Sequence, residues 1–405
     1  MTPSLSHPKH KLRLARPKKG RVRLLVGTRK GAFVVASDSE RQEFEVQATE
    51  GLGAMVHHMV ADPRAPKKVV MTALDLEHGA HIRYSDDGGR TFKRSRKSPA
   101  FADAAAGLQQ RRVHHLFWLS PGHAQDPDVW YAGSSPQGLF RSRDAGQTWR
   151  PVAGLNNHPL LDQWTGGSQD STPDGPTLHS IRIDPRDSSH LYVALSAGGV
   201  LESDNAGRTW TPVNLGTVRS FEELEERVGG PGFEDVEQEF GQDPHLVVMS
   251  DTNPDRLWQQ ARTGIYRMDR EEGQWQRVGD NLPRGVEDVG FAILSHPRDP
   301  DAAWVFPLDG TRAWSRTAPS GRPGLYRTLD GGKNWSRQDR GLPRAHAYWS
   351  VKRQALAHDA HDPLGLYIGT SQGEIWSSVN EGRSWRCVAR HLPQIYSLEV
   401  VGASS

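Results

Sequence analysis

The stretch Ser142-Arg143-Asp144-Ala145-Gly146-Gln147-Thr148-Trp149 recurs along the chain, and this recurrence constrains the fold more than any other feature. Copies occupy residues 85–92, 203–210, 328–335 and 378–385; they follow the pattern S-x-D-x-G-x-T-W, with Asn for Asp at 205 and 380. A decayed copy follows Tyr266, where Asp269, Gly273 and Trp275 carry an extra residue between them. In each, the Asp or Asn side chain accepts backbone N–H bonds inside a turn, the Gly supplies a positive φ, and the aromatic residue drops onto the apolar layer beneath. A turn with fixed polar and aromatic roles, repeated this often, marks a repeat architecture.

The flanks repeat as well. An apolar strand ends in a small turn, and a Gly opens a second strand that runs into the turn motif: Leu24-Leu25-Val26-Gly27-Thr28 leads to Gly31-Ala32-Phe33-Val34, and Val129-Trp130-Tyr131-Ala132-Gly133 leads to Gly138-Leu139-Phe140-Arg141. Seven such phrases can be read. Most are preceded by a short apolar strand ending in an Asp-Pro or His-Pro type turn, at 56–62, 113–120, 178–184, 245–250 and 289–296, and less regularly at 349–357. Each unit is thus a four-stranded antiparallel meander of about 50–60 residues, the grammar of a propeller blade. The predicted fold is all-β, a seven-bladed β-propeller forming a single domain over residues 21–405. The first unit lacks its leading strand. Residues 393–400 have nothing of their own to pair with, so the C-terminal strand should complete the first blade and leave no open sheet edge.

Composition narrows the function classes. A chain of 405 residues could hold two or three average domains, but propellers run to this length as one closed unit. The formal net charge is +2, so no global field favours a polyanion, and nucleic acid is not an expected partner. The single cysteine, Cys387, excludes an intramolecular disulfide framework and agrees with a reducing compartment. No apolar run follows Met1, so neither a signal peptide nor a membrane span is expected, and a cytoplasmic protein is. Residues 1–20 hold Lys and Arg among Pro and Ser without periodicity and read as a disordered basic tail.

In a propeller the leading strands line the central channel and successive turns alternate faces. The S-x-D-x-G-x-T-W turns therefore share a face with the Asp-Pro turns. The opposite face receives the extra chain length, in insertions at 93–111, 155–176, 215–243 and 307–324; residues 221–228 have the spacing of a short amphipathic helix. Loops longer than a connection requires usually carry function, so a ligand site is expected on that face.

Counting back five residues from Asp62, Ser120, Asp184 and Ser250 lands on His57, His115, His179 and His245. Four imidazoles at one depth around a channel mouth could hold one divalent metal (Zn, Mn or Fe), act as acids and bases on a ligand, or hydrogen-bond between blades. Strand alternation turns His58 and His114 away from the channel. On the same face, Arg29 with Lys30 could take an anion. Asp75 and Glu77 could do acid and base work, and Asp309, Arg312, Trp314 and Arg316 offer a carboxylate and an aromatic ring to a sugar. Trp164, Glu239 and Gln242 lie in or beside insertions, and Tyr348, Arg353 and Tyr396 near other channel strands. The assigned roles are catalytic for Asp75, Glu77, Arg353 and Tyr396, substrate-binding for Arg29, Trp164, Gln242, Arg312 and Trp314, and metal-binding for the four histidines.

With these phrases, and with Val26-Gly27-Thr28-Arg29-Lys30-Gly31, Ala197-Gly198-Gly199-Val200 and Glu239-Phe240-Gly241-Gln242, the chain resembles the bacterial BNR or Asp-box propellers. That sialidase-like, WD40/YVTN/BNR-like group includes sialidases, sortilin-type domains and xyloglucan-cleaving glycosidases. The likeness is greater to a bacterial set often labelled exo-alpha-sialidase or glycosyl hydrolase, and it covers nearly the whole chain from about Val22. The resemblance implies the propeller fold. A sialidase would need an arginine triad, a tyrosine nucleophile assisted by a glutamate, and an acid Asp. The Arg-Ile-Pro phrase of the first triad arginine is absent here, and true sialidases have six blades, so sialidase activity is not expected. Seven-bladed propellers with a histidine-held metal at the channel mouth, such as oligogalacturonate lyase, offer a fold-level analogy. The expected function is a ligand site at the channel mouth, serving a hydrolase or metal-assisted lyase that acts on a carbohydrate or similar small polar substrate. The alternative is a non-catalytic propeller that binds a protein or ligand.

Overall fold

The computed structural model of the chain describes residues 21–48, 51–103, 110–165, 175–218, 241–310 and 316–402. The basic tail and the helical spacing at 221–228 lie outside them. Seven four-stranded antiparallel sheets follow one another along the chain. Their inner strands are Ile395–Gly402, Met59–Asp62, His115–Pro121, Leu178–Asp184, Pro244–Met249, Gly290–Ser295 and Leu356–His358, for blades 1 to 7 in turn. They pack against one another around a central axis. The C-terminal strand pairs antiparallel with Val22–Thr28, matching Val22 to Gly402 and Val26 to Leu398, so blade 1 is built from both ends of the described chain and the ring closes. The insertion read from Lys93 begins with a paired strand: Lys93–Arg94 is the outer strand of blade 2.

The repeated turn is held as its composition requires. Ser142 Oγ donates to Asp144 Oδ1 at 2.9 Å and accepts from the Gly146 N–H at 2.9 Å, while Asp144 takes the Thr148 N–H at 2.8 Å and its hydroxyl at 2.7 Å. Two consecutive residues, Ala145 and Gly146, adopt positive φ. The polar half of the motif thus satisfies its own backbone in a tight bend, and this frees Trp149 to lie wholly buried, its indole N–H on the Gly146 carbonyl at 3.0 Å.

Blade boundaries carry a second device, an arginine that reaches from one blade to the next, in blades 2 and 4 with an Asp two residues before it. Arg64 and Arg186 each bond back to Asp62 and Asp184 and then reach the next blade, Arg64 to the Asp126 carbonyl at 3.2 Å and Arg186 to Asp255 at 2.6 Å. Arg256 spans from Asp269 to Asp301 of blade 6, and Arg41 of blade 1 meets buried Asp359 of blade 7 at 2.8 Å. Gly27 and Gly133 let neighbouring blades close in: a Cβ on Gly27 would stand 2.7 Å from the Val56 carbonyl, and one on Gly133 2.7 Å from Leu178. No helix among the described residues is long and apolar enough to cross a membrane.

Between blades 4 and 5, buried His190 sits between two carboxylates, Asp184 at 3.0 Å and Glu202 at 2.7 Å, with Arg186 and Arg270 facing the same acids. Burial opposes its protonation, but the bonds to Glu202 and Asp184 prevail and raise its pKa. A raised folded pKa stabilises fully below the unfolded value of about 6.5, and the gain is lost as pH rises through the folded one. Replacement by Gln should therefore cost more stability at pH 6 than at pH 9, measured as urea midpoints at both. At the turn, Trp149→Ala should cost about 3–5 kcal/mol in the same measurement, as expected for an indole deleted from a full core.

Candidate functional site

The inner strands do not run straight to the mouth. In blades 1, 4 and 5 the ladder skips one inner residue, Tyr396, His179 or His245, and in blade 6 it skips Phe291 with Ala292. Such bulges re-aim a side chain out of the pleat. In blade 3 the skipped residue is Phe117, two positions on from His115. His115 thus does not share the depth of the other histidines: Phe117 holds that place, and His115 stacks on His57 with ring centroids 4.6 Å apart. Counting back five from His296, the end of the sixth leading strand, gives Phe291, so the register extends into blade 6, where sequence reading did not follow it.

These residues form a connected belt. Tyr396 stacks on His57 at 4.7 Å; His57 meets Phe117 at 5.7 Å, Phe117 meets His179 at 5.9 Å, His179 meets His245 at 6.1 Å, and His245 meets Phe291 at 5.0 Å. Blade 7 closes it with Arg353, whose guanidinium lies 5.6 Å from the Phe117 ring and 4.9 Å from the Phe291 ring. Phe117 therefore separates the His57–His115 pair from the His179–His245 pair. His58 turns away from the belt, accepting the Leu119 N–H on Nδ1 at 2.9 Å and bonding Glu399 through Nε2 at 3.0 Å.

Above His179 and His245 opens a cavity of about 170 Å³, lined also by Phe117, Phe291, Thr177, Ser196, Ser350, Asp243, Arg262, Arg316, Lys352 and Arg353. Its electrostatics are lopsided. Three cations crowd one phenyl ring: Arg353, Lys352 and Arg316 lie 4.9, 5.4 and 5.6 Å from the centre of Phe291. Among the described lining residues Asp243 supplies the one carboxylate. Burial pulls the Arg316 guanidinium down to about 10 against the opposing pull of Asp243, with Arg262 and Arg353 adding to the decrease.

The imidazoles are held neutral. Burial, reinforced by Arg353, lowers the His179 pKa to about 3. Its Nδ1–H donates to the Pro244 carbonyl at 2.6 Å and its Nε2 accepts from Ser196 Oγ at 2.9 Å, so both nitrogens are engaged. Burial lowers His245 to about 4, against Asp243; its Nδ1–H donates to the Gly290 carbonyl at 2.6 Å and its Nε2 stands 3.6 Å from Asp243 Oδ2. Burial pushes the Asp243 carboxyl up, but His245, with His179 and Arg353 behind it, outweighs burial and holds the group below the usual carboxylate range. Among the described residues, no three His, Cys, Asp or Glu side chains form a group that could hold a metal ion.

The other sequence-derived candidates fall elsewhere. Arg29 and Lys30 are exposed in the first hairpin turn of blade 1. Asp75 closes a local turn by accepting the Glu77 and His78 N–H groups at 3.1 and 2.7 Å, and the Glu77 side chain is 84% exposed; neither lines the cavity. Trp164 ends the short helix Leu161–Trp164, is only 2% exposed and stacks on His158, so it is a core residue with no face for a sugar. Gln242 is buried, its carbonyl taking the Gly199 N–H at 3.0 Å. Arg312, Trp314 and Glu239 lie outside the described residues. The cavity thus gathers Arg353, Arg316, His179 and His245 from the sequence candidates and adds Asp243, Arg262, Lys352, Phe117 and Phe291. Asp243 could have been suspected from its place two residues before His245; Arg262 and Lys352 carry no local signal.

The neutral histidines have a measurable consequence. Their folded pKa values lie below the unfolded 6.5, so the unfolded chain takes up protons first as pH falls, and each histidine should cost about 2 kcal/mol of stability on going from pH 7.5 to pH 5. His179→Gln should flatten the measured fall in unfolding midpoint over that range; an unchanged slope would contradict the assignment.

No family model matches the chain, and no curated protein matches it. Among solved structures it is similar to the GH74 xyloglucanase from Xanthomonas campestris, with a TM-score of 0.64 at 20% identity over 92% of this chain and 53% of that one. The chain thus spans about half the length of that enzyme. YCF48 bound to a D1 peptide aligns with a TM-score of 0.50 at 13% identity over 87% of each chain. At these identities the likeness is one of fold: the chain is a seven-bladed propeller, an architecture it shares with carbohydrate-active enzymes and with a peptide-bound protein.

Proposed function

We propose that the mouth cavity binds a small acidic sugar, with its carboxylate set among Arg316, Lys352 and Arg353. The observation that carries this reading is the convergence of three cations on Phe291 beside a single carboxylate. Cations gathered around one ring each attract an anion set among them. The hydroxyls of Thr177, Ser196 and Ser350 and the ring faces of Phe117 and Phe291 add the mixed polar and flat lining that a sugar ring uses. The cavity is smaller than the roughly 300–1,000 Å³ of drug-sized sites, which suits one ring.

Of the reactions open to such a ligand, elimination fits the lining better than hydrolysis. Glycoside hydrolysis uses two carboxyl groups about 5–9.5 Å apart, and Asp243 stands alone among the described lining residues. Elimination breaks the C–H bond beside the sugar carboxylate and the C–O bond on the next carbon and forms a C=C bond between them; it needs cations to neutralise the carboxylate, a base for the proton, and a proton from solvent for the oxygen that leaves as an alcohol. The neutral His245, oriented by Gly290 and Asp243, offers the base.

Calorimetric titration with a hexuronate should show binding that the matching neutral hexose lacks and that weakens as salt is raised. Arg353→Gln and Arg316→Gln should each lower affinity about tenfold or more, some 1.4 kcal/mol. Equal binding of the neutral sugar, or stoichiometric metal that is lost on replacing His57 and His245, would overturn the reading in favour of the metal-centred alternative.

A further inference from the structure

We infer that the channel is sealed directly beneath the cavity, so that the site is a blind pocket receiving only the terminal acidic residue of a sugar chain. The inference rests on the acidic-sugar reading and deepens it. Its basis is one hydrogen bond: Gln354 Nε2 donates to the Phe117 carbonyl at 2.7 Å. Gln354 leads into the inner strand of blade 7, and Phe117 lies on the inner strand of blade 3. In a ring of seven, these blades are separated by blades 1 and 2 on one side and by blades 4, 5 and 6 on the other. They stand nearly opposite, and a direct bond between them has to cross the axis.

The crossing is fixed at both ends. The Gln354 carbonyl accepts the Leu398 N–H of blade 1 at 2.8 Å, and both Gln354 and Phe117 are only 5% exposed. Arg353 makes a second span from blade 7, its guanidinium facing Phe117 on one side and Phe291 of blade 6 on the other. A buried amide bonded to a buried carbonyl is expensive to part, because both groups would lose their partners without gaining water. Ligand therefore enters and leaves by the mouth alone. A sugar in mid-chain carries glycosidic substituents on both sides, and a pocket of this size with a closed floor has room for one ring and one exit.

The test is calorimetric titration of the full chain with a hexuronate monomer, its short linear oligomers, and a long polyuronate whose ends are scarce, all compared at equal total uronate. The expected result is binding of monomer and oligomers at one protein per chain, and of the polymer at least tenfold more weakly per uronate, in proportion to its ends. Polymer binding as strong per uronate as the monomer, with several proteins per chain, would overturn the blind pocket while leaving the anion site standing. Absence of binding by all three would overturn both.

Discussion

Ring closure is the constraint on which the rest depends. The strand Ile395–Gly402 gives its ladder to Val22–Thr28, and without it both the first inner position and a sheet edge would be open. Closing seven blades fixes how many inner strands share the axis and therefore how much space they leave there. Ordinary aliphatic side chains from seven strands do not fill that space at the mouth. The belt of Tyr396, His57, Phe117, His179, His245 and Phe291 does, with bulges on several inner strands turning large rings inward.

The two faces divide labour electrostatically. On the face of the S-x-D-x-G-x-T-W turns, charges occur in matched sets: Arg186 with Asp184 and Asp255, Arg256 with Asp269 and Asp301, Arg64 with Asp62. Each arginine answers a carboxylate of its own turn and a partner across the boundary, so the charges lock blades together. At the opposite mouth the charges are arranged around a ring. Cations collect around Phe291, and the imidazoles that could have shared a proton stay neutral because burial forbids it.

The sequence made the blade count legible because each turn is self-contained. Ser142, Asp144, Gly146 and Thr148 satisfy one another within seven residues, so the motif looks the same whatever surrounds it. The histidine register was legible in blades 2, 4 and 5, since equal spacing from a turn means equal depth on a regular strand. It failed in blade 3, where the bulge puts Phe117 in the place expected for His115. Trp164 misled for a related reason: an aromatic residue in an insertion reads as a ligand platform, yet this one packs into the core against His158.

By itself, then, the sequence determined the all-β class, the seven repeats and the closure by the last strand, because these follow from patterns shorter than a blade. Only the tertiary structure decided which side chains meet at the mouth. Asp243, Arg262, Arg316 and Arg353 belong to separate loops and strands, and Gln354 reaches Phe117 across 237 residues of chain. Contacts of that kind depend on the curvature of the closed ring, and no local spacing encodes them.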